Sequence, residues 1–236
     1  MTDSIPPGAL PVLDHGFVRL VEVMGDDMAV VQAARVSYGQ GSKGEAADRG
    51  LIRYLLAHDH GTPFEMAAFK FHVRAPLFVV RQWFRHRWSS INEISGRYVE
   101  LEHRFFLPER LRSPDAKNKQ GSVEGVLSQE EERDLLAGMK ASALASLATY
   151  RSLLEAGVAR ELARTVLPLS LYTEFYWKVN ARSLMNFIRL RAEIHAQREI
   201  RVYAVALMGM FEKRMPWTAG AFRDSVLSGL HLDAEA

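Results

Sequence analysis

Between Ala67 and Arg74 the chain alternates: Phe69, Phe71 and Val73 fall on one side, and Lys70, His72 and Arg74 on the other. A period of two marks a half-buried strand. Phe17–Met24, Arg97–Phe106 and Tyr172–Val179 have strand-like composition and are read the same way. Elsewhere the pattern is helical. Asp26 and Asp27 open a helix through Val36, a second runs from Glu45 to His58, and Pro76 starts a third through about Arg85. Ser128 with Glu131 forms a capping box ahead of the longest helix, which Gly157 closes. Thr62-Pro63-Phe64-Glu65 has the same box with proline at the first helical position, but alternation follows at once, so it opens only a short turn. Ala159–Val166 is a short helix stopped at Pro168, Asn180 caps a helix to about Arg191, and the last helix spans about Ala196 to Met215.

The connections carry less pattern. Residues 1–16 hold three prolines and read as an extended lead-in. Residues 39–44 are a glycine-rich loop, 87–96 a polar loop, and 108–128 an insertion without period. No repeat or linker divides the chain, so residues 1–236 are expected to form one domain. Helices and strands mix without βαβ alternation, which predicts an α+β fold with helices around an antiparallel-type sheet.

Composition then removes whole classes of chemistry. The 236 residues contain no cysteine, which excludes disulfides, thiolate metal sites and every cysteine nucleophile. A net charge of +2 argues against nucleic acid or an anionic membrane as partner. The longest nearly apolar run, Tyr203 to Phe211, is about half a bilayer crossing. No signal peptide is visible at the start, and a cytoplasmic protein is expected. Of 30 basic residues, 23 are arginine, the better residue for bidentate contacts to phosphate.

Some signals fail on context. Gly39-Gln40-Gly41-Ser42-Lys43-Gly44 matches the dinucleotide fingerprint, but the residues before it look helical where a strand is needed. His58, His60, His72 and His86 have no carboxylate at ligand spacing on a shared helix face, so no metal is expected. His60, in a loop beside Gly61, is retained as a site candidate.

Two places do not fit a bland reading. Arg85 to Tyr98 is densely polar yet threaded with Trp83, Phe84, Trp88 and Ile91 nearby; it starts on a helix whose Gln82 and Arg85 share a face, and its helix end, serine-rich turn and two forked arginines make a cradle for phosphate. Arg191 follows Leu184 and Ile188 on an apolar stripe, while Arg182, Asn186 and Arg189 form a polar one. Arg191 either serves a site or pairs structurally with Glu193 or Glu161, and the pattern leaves both open.

The stretch Arg85 to Tyr98 resembles the R-H-R-x-x-S-x-N-E-x-S-x-R-Y signature of the flavin-dependent thymidylate synthases, with every fixed position matched. The resemblance extends to Ala33–Ser37, His60–Glu65, Val166–Pro168, Asn180–Ser183 and His195–Gln197, over about residues 15–220. It implies an α+β fold that is not a Rossmann fold, in a homotetramer with shared active sites. It also implies dTMP synthesis from dUMP, with 5,10-methylenetetrahydrofolate as one-carbon donor, NADPH as reductant and FAD as hydride carrier. The absence of cysteine agrees, since the other thymidylate synthases attack uracil with one.

Carried over by position, the resemblance places Arg191 and His60 at the chemistry. FAD would meet Ser37, Thr62, Arg85, His86, Arg87, Glu93, Asn180, Ala181, Arg182, Asn186, Leu190 and His195. The nucleotide would meet Gln82, Trp83, Phe84, Arg85, Glu93, Ile94, Ser95, Gly96, Arg97, Arg164 and Arg191. A flavin-binding protein without methyl transfer is the alternative. Ser95 is expected to bind rather than attack, because no histidine or lysine near it in sequence would deprotonate it.

Overall fold

Alternating apolar residues build the centre of the molecule. The structure, a computed structural model, describes residues 5–229 except 40, 102, 117, 119 and 120. In chain order its elements are β1 (Leu10–Val12), β2 (Gly16–Met24), α1 (Asp27–Arg35), α2 (Glu45–Ala57), β3 (Ala68–Pro76), α3 (Leu77–Trp83), β4 (Ser89–Glu93), β5 (Arg112–Pro114) and β6 (Ser122–Glu124). They continue with α4 (Gln129–Glu155), α5 (Arg160–Ala163), β7 (Tyr172–Asn180), α6 (Ala181–Arg191), α7 (Arg198–Arg214) and α8 (Pro216–Phe222). Five strands form one sheet in the order β1-β2-β3-β7-β4, antiparallel at every pairing. This is the expected α+β arrangement in a single domain.

Phe69, Phe71 and Val73 of β3 and Phe175, Trp177 and Val179 of β7 are buried on one face of the sheet. They join residues of α1, α2, α6, α7 and α8 in one core, which brings α6 and α7 against the sheet. The other face carries cross-strand charge pairs: Lys70 with Glu22 at 2.5 Å and Arg74 with Glu174 at 2.7 Å, each pair directly opposed in register. Gly16 is required where β1 and β2 meet, because an added Cβ would lie 2.0 Å from the Tyr203 hydroxyl and 2.5 Å from the Val12 carbonyl. Asp27, almost fully buried, accepts from the N–H groups of Trp217 and Thr218 and from the Thr218 hydroxyl, tying α1 to the start of α8. Around Phe105, Leu147, Tyr150 and Leu171 a smaller apolar cluster seats the C-terminal half of α4.

Several expectations are corrected. The 87–96 segment contains the edge strand β4, whose sequence Ser-Ser-Ile-Asn-Glu has too little apolar alternation to announce itself. Among the described residues of 97–106 no strand is formed: the stretch starts in a turn and meets the sheet side through the Phe105–Leu171 bridge. The lead-in contributes β1, and the third helix stops at Trp83, so Arg85 lies in the turn beyond it. Gly61, not Thr62, caps the 3-10 turn Thr62–Met66, so no side chain caps it, and Glu65 is engaged with Arg182 instead. The insertion holds the hairpin β5–β6, pinned to α4 where Glu132 accepts from the Leu111 N–H and the Arg110 Nε. Beyond the helix expected to end near Met215, Pro216 starts α8 as a separate helix.

Candidate active site

The end of α3 and the start of α6 make the site. After Trp83 the chain turns sharply, with the His86 N–H bonded to the Trp83 carbonyl, and this throws Arg85, His86 and Arg87 off the core before β4 begins. At the end of β7, Asn180 caps α6, its side chain accepting the Ser183 N–H at 2.8 Å. Because β4 pairs with β7, the turn and the helix face each other. Between them lies a cleft of about 490 Å³ lined by Arg85, His86, Arg87, Trp88, Trp177, Val179, Arg182, Ser183, Asn186, Leu190 and Arg191. Residues about a hundred positions apart in sequence thus meet in one cavity, as the resemblance requires for seven of them.

The electrostatics of this cleft are one-sided. Four arginines line it and no carboxylate does, so it favours an anionic, phosphate-bearing ligand. Arg191 is half-buried at the end of α6 and donates its Nε–H to His86 Nε2 at 3.1 Å. Burial lowers the Arg191 pKa from its ordinary value, and the positive charge of Arg85 adds to this. Of the carboxylates proposed as structural partners, Glu161 pairs with Arg97 at 3.1 Å and Glu193 lies 3.7 Å from His195. Among the described residues none pairs with Arg191, so the structural alternative has no partner to rest on.

His86 accepts from Arg191, which requires a neutral imidazole. Burial, and then the Arg191 charge, lower its pKa from an ordinary 6.5 to about 4. Between those values the unfolded chain binds a proton that the folded protein does not. Stability from this group is therefore lost as pH falls from about 6.5 toward 4. We expect His86→Asn to flatten the dependence of melting temperature on pH in that window. Parallel wild-type and variant curves across it would disprove the assignment.

A second cavity of about 300 Å³ holds His60, Gly61, Phe64 and Arg189, and it shares Arg182 and Asn186 with the first. Arg182 bridges the two: its guanidinium pairs with Glu65 at 2.6 Å and lies 5.7 Å from the centre of the exposed Trp88 ring. Gly61 lets it pass, since an added Cβ would sit 2.4 Å from Arg182 Nε. Exposed Ser37 and Thr62 lie in 3-10 turns, and Thr62 adjoins Gly61. Ala181 is buried at the first position of α6, and His195 is exposed in the turn after it.

The remaining nucleotide candidates stand apart from the cleft. Glu93 accepts from the Thr173 hydroxyl at 2.8 Å, and the Ile94 N–H bonds the Glu174 carbonyl. Ser95 accepts the Arg97 N–H within its own turn, and Gly96 is packed against Leu101. Arg97 reaches Glu161, three residues before the exposed Arg164. Gln82 hydrogen-bonds Gln197. Phe84 packs edge-on against Phe175, and Trp83 is wholly buried beneath the cleft. Sequence reasoning missed four residues that line the cleft: Trp88, at a position the signature leaves open, and Trp177, Val179 and Ser183, whose signal was their place at the β7–α6 junction that Asn180 marks.

The profile of the family described as "Thymidylate synthase complementing protein" matches residues 19–217. The "Flavin-dependent thymidylate synthase" of Thermus thermophilus is 54% identical over 226 residues, covering 96% of this chain and 82% of that protein. The protein of the same name from Thermosipho africanus is 52% identical, covering 89% of this chain and 92% of its own length. This chain belongs to the flavin-dependent thymidylate synthase family. Among solved structures, the UMP/dUMP methylase PolB from Streptomyces cacaoi bound with 5-Br UMP superposes with a TM-score of 0.81 at 38% identity, over 89% of this chain and 95% of that one. As in other flavin-dependent thymidylate synthases by name, a flavin is implied, and the cleft suits one: besides its arginines, it includes Ser183 and Trp177, whose buried Oγ and Nε1 have no hydrogen-bond partner among the described residues. Among the described residues there is no cluster of potential metal ligands, and no helix is long and apolar enough to cross a membrane.

Proposed function

We propose that the protein converts dUMP to dTMP by reductive methylation, taking the one-carbon unit from 5,10-methylenetetrahydrofolate and the reducing electrons from NADPH. FAD, when bound, supplies the hydride that turns the transferred methylene into a methyl group. The observation that carries this reading is the carboxylate-free arginine cleft, where the signature turn meets the end of α6 in a chain without cysteine.

The chain's residues divide the work. Arg85, His86, Arg87, Asn180, Ala181, Arg182, Asn186 and Leu190 would hold FAD in or beside the cleft, with Ser37, Thr62, Glu93 and His195 reaching it from the periphery. Arg191 would stand at the uracil edge. His60 and Arg182, which line the second cavity together, would flank the side where nicotinamide and folate approach. The nucleotide set of Gln82, Trp83, Phe84, Glu93, Ile94, Ser95, Gly96, Arg97 and Arg164 is not gathered in the same cleft of one chain. That split supports a homotetramer in which one subunit completes the site of another, with Trp88 73% exposed and Leu190 44% exposed at the cleft mouth. A cytoplasmic location belongs to this reading.

An anaerobic assay with FAD, NADPH, dUMP and the methylene folate tests it: dTMP should form, and flavin reduction without dTMP would overturn it in favour of a flavin-binding protein. The 39–44 loop takes no part. Gly41 has open space around its Cβ position, and its carbonyl already accepts from Arg35 Nη1 at 2.8 Å. Gly41→Ala should leave the flavin absorbance of the purified protein unchanged, whereas Asn186→Ala should reduce it. Loss of flavin in the glycine variant alone would reverse that assignment.

A further inference from the structure

Behind Gln82 three side chains form a line of hydrogen bonds. Arg112 Nη2 donates to Glu199 Oε1 at 2.5 Å, Gln197 Nε2 donates to Glu199 Oε2 at 2.9 Å, and Gln82 Nε2 donates to Gln197 Oε1. Glu199 is 2% exposed in the first turn of α7, where the helix dipole also favours a carboxylate. Arg112 is held in the β5–β6 hairpin by a bond from its Nε to Ser122 Oγ at 3.0 Å. The hairpin, in a stretch without sequence pattern, therefore delivers the counter-charge of a buried acid.

The line has a direction. A side-chain amide can present either its oxygen or its NH2 group, and its neighbours decide which. A carboxylate in an ion pair only accepts, so Gln197 must turn its NH2 to Glu199 and its oxygen to Gln82. Gln82 must answer with an N–H. Its own carbonyl oxygen is then left without a hydrogen-bond partner among the described residues.

Resting on the nucleotide reading above, we infer that Glu199, acting through Gln197, is a positioning residue that sets the polarity of the Gln82 amide. The Gln82 oxygen then accepts an O–H or N–H of the nucleotide. Neither Glu199 nor Gln197 touches the reacting atoms. Together they ensure that a hydrogen-bond acceptor, rather than a second donor, meets the ligand.

Equilibrium dialysis of dUMP against the FAD-loaded enzyme tests this. In Glu199→Gln, Arg112 can still donate to the oxygen at position 199, but an NH2 group now faces Gln197 and both amides invert. The Kd for dUMP should rise about tenfold, while flavin content and kcat at saturating dUMP stay near wild type. Gln197→Leu leaves the Arg112–Glu199 pair intact and frees Gln82 to rotate, so its Kd should rise about threefold. With 2′,3′-dideoxyuridylate the Glu199→Gln penalty vanishes if the sugar hydroxyl is the donor and persists if it is the base N–H; either result supports the inference. A purely structural Glu199 would lower the melting temperature and leave Kd unchanged. Wild-type binding of dUMP with both variants within about twofold of it would overturn the inference alone. Wild-type protein that fails to bind dUMP would overturn the nucleotide reading and this inference with it. Should Glu199→Gln fail to fold, Gln197→Leu decides by itself.

Discussion

Arg191→Lys is expected to keep FAD and lose turnover by about 10²–10³-fold, the usual effect of removing one preorganised donor from a dry site. Without a cysteine to add at C6, the C5 carbon of uracil must become nucleophilic by another route. Negative charge stabilised along the N3–O2 or O4 edge pushes electron density toward C5. A guanidinium suits this because it stays cationic when half-buried and offers a planar fork to a planar edge. In the structure the Nε–H of Arg191 is committed to His86 at 3.1 Å, which leaves the Nη groups for a ligand. Lysine keeps the charge but has no fork and cannot serve His86 and the ring together. Flavin content, thermal melting and single-turnover rate on one preparation decide the matter. A lowered melting temperature with normal turnover per folded molecule would return Arg191 to a structural role.

The second large effect is on stability. Trp83 is 0% exposed and packs against Phe175, Trp177, Phe187 and Tyr203 at ring-centre distances of 5.4, 5.2, 4.7 and 5.7 Å. Trp83→Ala should destabilise the protein by about 3–5 kcal/mol in urea denaturation, because the cavity it leaves is walled by rigid rings. Trp83→Phe should cost no more than about 1.5 kcal/mol, since it keeps an aromatic ring and deletes an indole N–H that is buried without a partner. Nucleotide affinity of the folded Phe variant should match wild type. A well-folded Phe variant that loses dUMP affinity would restore Trp83 to the binding surface, where the resemblance had put it.

The burial of the Trp83 side chain shows what position in a motif cannot convey. Trp83 and Gln82 are neighbours two and three residues before the first signature arginine, yet a helix turns neighbouring residues about 100° apart, so one side chain is wholly buried and the other reaches Gln197. The strand β4 was hidden for a different reason. Its hydrogen bonds come from β7, more than eighty residues further on, while its own residues have little strand character. Arg97–Phe106 has the composition of a strand, but among its described residues one bridge, Phe105–Leu171, is all the pairing it makes.

By itself the sequence determined the parts whose physics is local. The alternation in β3, the strand at β7, the Asn180 and Ser128 caps and the apolar stripe that ends at Arg191 are all present in the fold. The missing cysteine settled which chemistry is closed to the chain, and the Arg85–Tyr98 signature pointed to the family. Tertiary structure alone decided which side chains share a cavity. The pairing of β4 with β7 sets the signature turn against α6, Arg182 of α6 lines both cavities, and the start of α7 joins Arg112 to Gln82. Such meetings depend on long-range packing and on the desolvation of particular charges, and neither leaves a period in the chain for a reader to count.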